Sequence, residues 1–188
     1  MIRIGIVGDI GSGKSYVAKQ FGYPVFDADV EVSRLYKKSK RCYTKLKKAL
    51  PRYINSFPLK KHNLSKAIIE NKNNLKKIIK IVHPEISLKM KKFLTKNKKK
   101  NFVILDIPLL LENKINKKND IIIFIDADKK ELKKRLKKRH NINFELIRKF
   151  KKIQLSLEIK KKKSNFILKN NFNSNSVKKS VKNIIRKI

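Results

Sequence analysis

Apolar residues are concentrated along this chain in short runs, of which the one at 121–125 is unbroken, separated by stretches in which they recur every three or four positions. Unbroken runs are typical of parallel strands that are covered on both faces, and the wider spacing is typical of amphipathic helices. The runs lie at residues 2–7, 23–26, 101–107, 121–125 and 165–168. The alternation predicts an α/β fold with three layers, in which a parallel sheet of about five strands carries helices on both faces.

The span from residue 30 to about residue 96 has helical periodicity and no run that would suit a strand. Pro51 interrupts the periodic pattern, and Pro84 is expected to break or kink a later helix. We therefore expect a helical insertion between two strands of the sheet.

Helices are also expected after the later strands. The pattern predicts a turn into a short helix at 108–112, a helix at 129–139, a helix from 144 to about 163 and a terminal helix. Asp128 directly precedes the second of these, where its side chain would cap the helix.

A glycine-rich segment follows the first predicted strand. Residues 8–15 read Gly-Asp-Ile-Gly-Ser-Gly-Lys-Ser, which fits G-x-x-x-x-G-K-[ST], and helical spacing resumes at residue 16. In such a loop, backbone N–H groups and the start of a helix surround phosphate oxygens. Lys14 is expected to reach the β- and γ-phosphates of ATP, and Ser15 to bind Mg²⁺. The residues expected to contact the nucleotide are Asp9, Ile10, Gly11, Ser12, Gly13, Lys14, Ser15 and Tyr16.

The formal net charge of +37 over 188 residues would by itself suggest a nucleic-acid partner. The excess is nearly all lysine and is spread over the whole chain, whereas arginine, which contacts phosphates and guanine better, is sparse. We interpret the charge as a solvated surface with weak, nonspecific attraction for polyanions, and expect no specific nucleic-acid partner.

Cys42 is the only cysteine, so no internal disulfide can form, and a buried spectator role is expected for it. No apolar run is long enough to span a membrane, and the chain enters its first strand without a signal peptide. We expect a cytoplasmic protein with no membrane partner; the sequence does not indicate its oligomeric state.

Acidic residues follow several of the predicted strands. They are Asp27 and Asp29, Asp106, and Asp126 with Asp128. Because the carboxyl ends of parallel strands meet at one edge of a sheet, these side chains are expected beside the glycine-rich loop, where ligands bind in such folds.

Four segments together resemble a known family. They are residues 4–15 with the glycine-rich loop, Phe-Asp-Ala-Asp at 26–29, Val-His-Pro at 82–84 and Leu-Asp-Ile-Pro-Leu-Leu-Leu-Glu at 105–112. In order and spacing they are similar to the dephospho-coenzyme A kinases. The resemblance implies transfer of the ATP γ-phosphoryl group to the ribose 3′-hydroxyl of dephospho-coenzyme A, the last step of coenzyme A synthesis.

The resemblance also implies a division of the chain. It implies a single kinase domain over 1–188, with a core at about 1–29 and 101–188. A helical insertion at about 30–100 would bind the acceptor, and a short lid at about 135–148 would close over ATP.

The family's catalytic roles fall on particular positions of this sequence. Asp29 would orient the 3′-hydroxyl and accept its proton, although a position just before a helix also suits an N-cap. Arg139, with Arg135 as the alternative, would stabilise the transferring phosphoryl group, unless both are solvated surface residues. Asp106 would meet Mg²⁺ through water or serve a structural turn.

The acceptor would be bound by other residues. His83 would contact it, or else cap and pack at the Pro84 kink. Pro108 and Leu109 would form an apolar wall beside it, with core packing as an equal alternative.

Several positions depart from the family pattern. Asp9 stands where glycine is common, Tyr16 replaces a small hydroxyl residue, and Asn170-Asn171-Phe172 lacks a glycine. These departures concern the adenine pocket and the rate, and leave Gly13, Lys14 and Asp29 unchanged.

Two other functions would also use a phosphate-binding loop. One is a different small-molecule kinase that acts on a nucleoside or nucleotide. The other is a nucleic-acid-binding protein that uses ATP as a switch, which would need basic residues clustered with aromatic ones. A GTPase is disfavoured because Asn-Lys-Lys-Asn at 116–119 lacks the acid of the guanine-reading motif.

Overall fold

The computed structural model describes residues 1–138 and 143–188. Its strands are β1 (Ile2–Gly8), β2 (Val25–Asp27), β3 (Phe102–Asp106), β4 (Ile121–Ala127) and β5 (Phe166–Asn170). Its helices are α1 (Lys14–Gln20), α2 (Ala28–Lys38), α3 (Lys40–Ala49), α4 (Lys61–Glu70), α5 (Lys72–Lys96), α6 (Lys129–Lys138), α7 (Phe144–Ile153), α8 (Leu157–Lys162) and α9 (Ser174–Ile185). No helix among these residues combines the length and the apolar character needed to cross a membrane.

The chain forms two compact units. The sheet unit comprises Met1–Asp27, Asn97–Ile142 and Ile153–Ile188, and the helical unit comprises Ala28–Lys96 and Asn143–Lys152. Residues 28–96 contain no strand, as the periodicity predicted.

The sheet has five parallel strands in the order β2-β3-β1-β4-β5. The predicted α/β fold with a five-stranded parallel sheet is confirmed. Because all strands run the same way, their carboxyl ends, from Gly8 to Asn170, lie along one edge of the sheet.

The core of the sheet unit forms where apolar side chains of the strands meet α1 and α9. Its members are fully or almost fully buried, and removing apolar surface from water stabilises the unit by about 25 cal/mol per Å². They are Ile4, Ile6, Val17, Ala18, Phe21, Ile104, Ile123, Ile125, Leu168, Val177, Val181 and Ile184.

The helical unit has a core of its own, built from α2 to α5 and the segment before α4, with side chains of α7 packed against it. The predicted break at Pro84 is wrong, because α5 continues through this residue, and the alternative of a kink stays a prediction. Pro84 removes one backbone donor, but buried Ile78 and Val82 before it and half-buried Ile86 after it pack in the same core, which favours a continuous helix.

Two further elements differ from expectation. Residues 108–114 form consecutive turns instead of a short helix, with backbone bonds such as Ile115 N–H to Leu110 O at 3.0 Å. The single helix expected from 144 to about 163 is divided into α7 and α8, because the Ser156 hydroxyl accepts a hydrogen bond of 3.2 Å from Ile159 N and caps a new helix.

Candidate nucleotide-binding site

The loop between β1 and α1 bends at three glycines. Gly8, Gly11 and Gly13 have φ values of 151°, 83° and 85°, which side chains rarely allow. Gly13 is the N-cap of α1 and supplies no side chain to cap it. The first N–H groups of α1 are therefore available to an anion at the end of the loop.

Close packing also requires these glycines. A Cβ on Gly8 would lie 2.8 Å from the Ile125 carbonyl, and a Cβ on Gly13 would lie 2.7 Å from Asn170 Nδ2. A Cβ on Gly11 would lie 2.9 Å from Leu136 Cδ2. The backbone of β4, the end of β5 and α6 thus all approach the loop within contact distance.

The ammonium group of Lys14 contacts the backbone at the start of the loop. Its Nζ donates to the Asp9 carbonyl at 2.7 Å and lies 3.4 Å from the Gly8 carbonyl. The side chain is half-buried, and these two acceptors are neutral carbonyls of the loop itself. An anion bound by the loop amides would meet this positive charge; that Lys14 reaches the phosphates of ATP stays a prediction.

Asn170, at the carboxyl end of β5, holds the loop in place by a side-chain hydrogen bond. The sequence identifies Asn170 only as the end of a strand. Its Nδ2 donates to the Ser12 carbonyl at 2.8 Å, and its Oδ1 accepts from Phe172 N at 2.9 Å. Asn170 and Ser12 are both buried. No local pattern identifies this contact, because the two residues are far apart in the chain.

The residues after β5 form a second wall beside the loop. Phe172 has a φ of 62°, which is unusual for a residue with a side chain, and its ring lies 4.3 Å from the Arg135 guanidinium carbon. The Tyr16 hydroxyl donates to Ser174 Oγ at 2.7 Å or accepts from it. Phe172, in the segment where the sequence lacks a glycine, is therefore in contact with α6. Arg139 lies outside the described residues.

The carboxylates after the strands divide into two groups. Asp27 and Asp106 are register partners at the ends of β2 and β3, and Asp106 is also paired with Ile6 of β1. Asp106 is 5% exposed. These two acids share the edge of the sheet that carries the loop. Among the described residues no cluster of three metal-binding side chains occurs.

Asp126 and Asp128 have structural partners instead. The Asp128 Oδ1 accepts from Glu131 N at 2.9 Å, which confirms the predicted N-cap of α6. Asp126 lies 3.5 Å from Lys161 Nζ at the surface.

The remaining candidates are placed as follows. Asp29 is an exposed residue in the first turn of α2, and its carbonyl accepts from Ser33 Oγ at 2.8 Å. Because α2 begins at Ala28, the N-cap alternative for Asp29 is wrong. His83 is half-buried in α5, with an Nε2 atom that has no partner among the described residues. Pro108 and Leu109 are half-buried in the turns after β3.

Comparison with known proteins agrees with this geometry. The family model for dephospho-CoA kinase matches residues 2–176. A dephospho-CoA kinase of Wolbachia pipientis wMel is 35% identical over 187 residues, covering 97% of this chain and 95% of that protein. One from Fusobacterium nucleatum is 32% identical over 183 residues, covering 95% and 94%.

Solved structures show the same fold. A crystal structure of a Thermus thermophilus protein superposes with a TM-score of 0.80 at 27% identity, covering 100% of this chain and 97% of that one. A dephospho-CoA kinase from Campylobacter jejuni superposes with a TM-score of 0.64 at 20% identity, covering 98% and 96%.

Proposed function

Since the chain belongs to the dephospho-CoA kinase family, we propose that it transfers the γ-phosphoryl group of ATP to the ribose 3′-hydroxyl of dephospho-CoA. The observation that carries this proposal is the family match over residues 2–176 together with a phosphate loop in which Lys14 faces the glycine turns. The products are coenzyme A and ADP.

In the reaction, the 3′-oxygen forms a bond to the γ-phosphorus while the bond from that phosphorus to the β,γ-bridging oxygen breaks. The hydroxyl proton passes to a carboxylate, which we assign to Asp29, and ADP leaves with the bridging oxygen. Phosphoryl transfer needs positioning and charge neutralisation more than covalent help from the protein.

The loop supplies most of the charge neutralisation. Residues 9–16 hold the triphosphate, with Lys14 on the β- and γ-phosphates and main-chain N–H groups on the remaining oxygens. To do so, Lys14 exchanges its hydrogen bond to the Asp9 carbonyl for one to a phosphate, which is stronger because the acceptor is charged.

Two protein side chains, a hydroxyl and a carboxylate, are suited to Mg²⁺ that is bound mainly by the phosphates of the nucleotide. Ser15 is exposed at the start of α1, and Asp106 is a buried carboxylate at the end of a neighbouring strand. Mg²⁺ is usually bound by few protein oxygens, with water and phosphate completing its shell. We assign Ser15 as a direct ligand and Asp106 as a ligand through water; the ion would neutralise charge on the phosphates.

The remaining roles follow the family assignment. We propose that Arg139, or Arg135 in its place, stabilises the transferring group from a lid at about 135–148. Arg135 is exposed and its guanidinium stacks on Phe172, beside the loop. The insertion at about 30–100 would bind the acceptor with the help of His83, and Pro108 and Leu109 are further residues that we assign to acceptor binding.

A coupled assay of ADP release tests the proposal. Dephospho-CoA should stimulate ADP release, and nucleosides and nucleoside monophosphates should not. Turnover with a nucleotide and none with dephospho-CoA would favour the rival small-molecule kinase. Tight RNA or DNA binding that survives moderate salt would favour the nucleic-acid-binding alternative, because nonspecific binding to a charge of +37 is lost steeply as salt rises.

A further inference from the structure

One lysine of this lysine-rich chain is buried. Lys160 lies in a run of four lysines, residues 160–163, of which the other three are exposed. Its side chain is only 2% exposed, and its Nζ lies 2.9 Å from Oε1 of Glu112, whose side chain is 9% exposed. A charge this deeply buried needs a partner, and Glu112 supplies one.

The Glu112 carboxylate joins two stretches that are distant in the chain, the turns after β3 and residues 154–160. The same Oε1 atom accepts a hydrogen bond of 3.0 Å from Leu155 N. Lys160 Nζ also donates to Gln154 Oε1 at 3.3 Å. The turns after β3, the residues before α8 and α8 itself therefore meet at one buried carboxylate.

The segment fixed by Glu112 forms hydrogen-bonded turns and belongs to no helix or strand. Residues 108–114 are turns, so their position depends on tertiary contacts. Leu110 provides the first contact: it fills the space over Gly5 of β1, where a Cβ would lie 2.4 Å from Leu110 Cδ2. Glu112 provides the second, two residues further on.

These two anchors determine where Pro108 and Leu109 lie. Both residues come directly after Ile107 and Asp106, at the edge of the sheet that carries the phosphate loop, and both are half-buried. Buried ion pairs add little net stability compared with apolar residues of similar volume, because desolvation offsets their attraction. A positional role accounts for the pair better than a stabilising one.

We propose that Glu112 and Lys160 are positioning residues for the phosphoryl acceptor: they fix Pro108 and Leu109 so that these residues contact it. This inference rests on the proposed function. The contacts described for the pair involve Gln154 and Leu155 and no residue of the loop at 8–15. Acceptor affinity should therefore depend on the pair, and ATP affinity should not.

The main test replaces both charges at once with Glu112→Gln and Lys160→Met, which leaves no unpaired charge buried. Titration calorimetry would measure the binding of dephospho-CoA and of ATP separately, and circular dichroism would follow thermal unfolding. We expect dephospho-CoA to bind about tenfold to a hundredfold more weakly, since small displacements of positioning groups have effects of this order. ATP affinity should stay within about twofold of the parent value, because the loop contacts are unchanged.

Lys161→Met is the matched control, because Lys161 lies next to Lys160 but is half-exposed and pairs only with Asp126 at 3.5 Å. It should bind both ligands normally. If the double variant does not unfold cooperatively, Glu112→Gln alone decides the question, since it removes the charge of the ion pair while the amide oxygen can still accept from Leu155 N. That variant should weaken dephospho-CoA binding severalfold and leave ATP binding unchanged.

A folded variant that binds dephospho-CoA as tightly as the parent would overturn the inference, as would an equal loss of affinity for both ligands. If the parent protein itself does not bind dephospho-CoA, the proposed function fails and this inference fails with it. Binding of dephospho-CoA to the parent protein tests the proposed function, and the comparison of variants with the parent tests the positioning role. Failure of the proposed function can therefore be distinguished from failure of this inference alone.

Discussion

The side-chain amide of Asn170 donates a hydrogen bond of 2.8 Å to the backbone carbonyl of Ser12, 158 residues earlier in the chain. The same side chain accepts from Phe172 N at 2.9 Å. One buried amide thus fixes both the phosphate loop and the turn that follows β5. The hydrogen bond from Asn170 of β5 therefore helps to determine the shape of the loop, together with the loop's own glycines.

Replacing Asn170 by Leu should loosen the loop. The change leaves the Ser12 carbonyl and the Phe172 N–H without their partner, and we expect a loss of about 1–3 kcal/mol in the free energy of unfolding. ATP should also bind more weakly. Denaturant unfolding and calorimetry measure the two effects.

Asn171→Leu is the control for this prediction. Asn171 is exposed and its Oδ1 bonds only locally, to Asn173 N at 3.1 Å. A loss of ATP affinity as large as that of Asn170→Leu would contradict the role given to Asn170.

Gly13→Ala should abolish ATP binding, whereas Gly22→Ala should not. Both glycines have positive φ values, 85° and 72°, so both variants should lose about 1 kcal/mol or more from backbone strain. Only Gly13 lacks room for a methyl group: its Cβ would meet Asn170 Nδ2 at 2.7 Å, and a Cβ on Gly22 meets nothing within 4 Å. Calorimetry with ATP would separate the two, and equal binding by both variants would show that the close approach has no functional role.

The sequence predicted the strands and the loop well because their signals are local. The apolar run at 121–125 and the glycines of the motif at 8–15 can be read directly from the sequence. The contacts of Asn170 with Ser12 and of Lys160 with Glu112 could not be predicted. They join residues that the sheet topology brings together, and nothing in the sequence distinguishes Lys160 from the exposed lysines beside it.

The helices were predicted less accurately for the same physical reason. Pro84 predicts a break from local geometry, yet tertiary packing of α5 keeps the helix continuous. Conversely, the apolar run after Pro108 predicts a short helix, but residues 108–114 form turns, with Leu110 packed over Gly5.

Cys42 should be unreactive in the folded protein. Its side chain is fully buried, and burial raises the pKa of the thiol to about 11, with a further increase from nearby Glu85. At pH 8 the folded state therefore contains very little thiolate, which is the reactive form. Labelling with a thiol reagent should proceed at the rate of unfolding and accelerate in denaturant, and rapid labelling of the native protein would contradict this.

Asp29→Asn should lower kcat by about 10²-fold or more, because the amide cannot accept the hydroxyl proton. Dissociation constants for ATP and dephospho-CoA should change little, since the amide has nearly the same shape. Asp128→Asn is the control: asparagine caps helices as well as aspartate does, so kcat should be retained. A near-normal kcat for Asp29→Asn would remove Asp29 as the base.

Lys14→Ala should abolish transfer and weaken ATP binding, because the charge facing the loop carbonyls is lost. Lys19→Ala, an exposed position in the same helix, should do neither. Steady-state rates of ADP release compare the variants. Transfer by Lys14→Ala at the parent rate would show that the loop does not act as proposed.

The most direct test of the proposed reaction is phosphorus NMR of the product formed from ATP and dephospho-CoA. We predict a new phosphomonoester signal that couples to the ribose 3′-proton, equal in amount to the ADP produced, and no such signal with Lys14→Ala. A phosphate on any other oxygen, or ADP formed with no phosphorylated acceptor, would contradict the assignment.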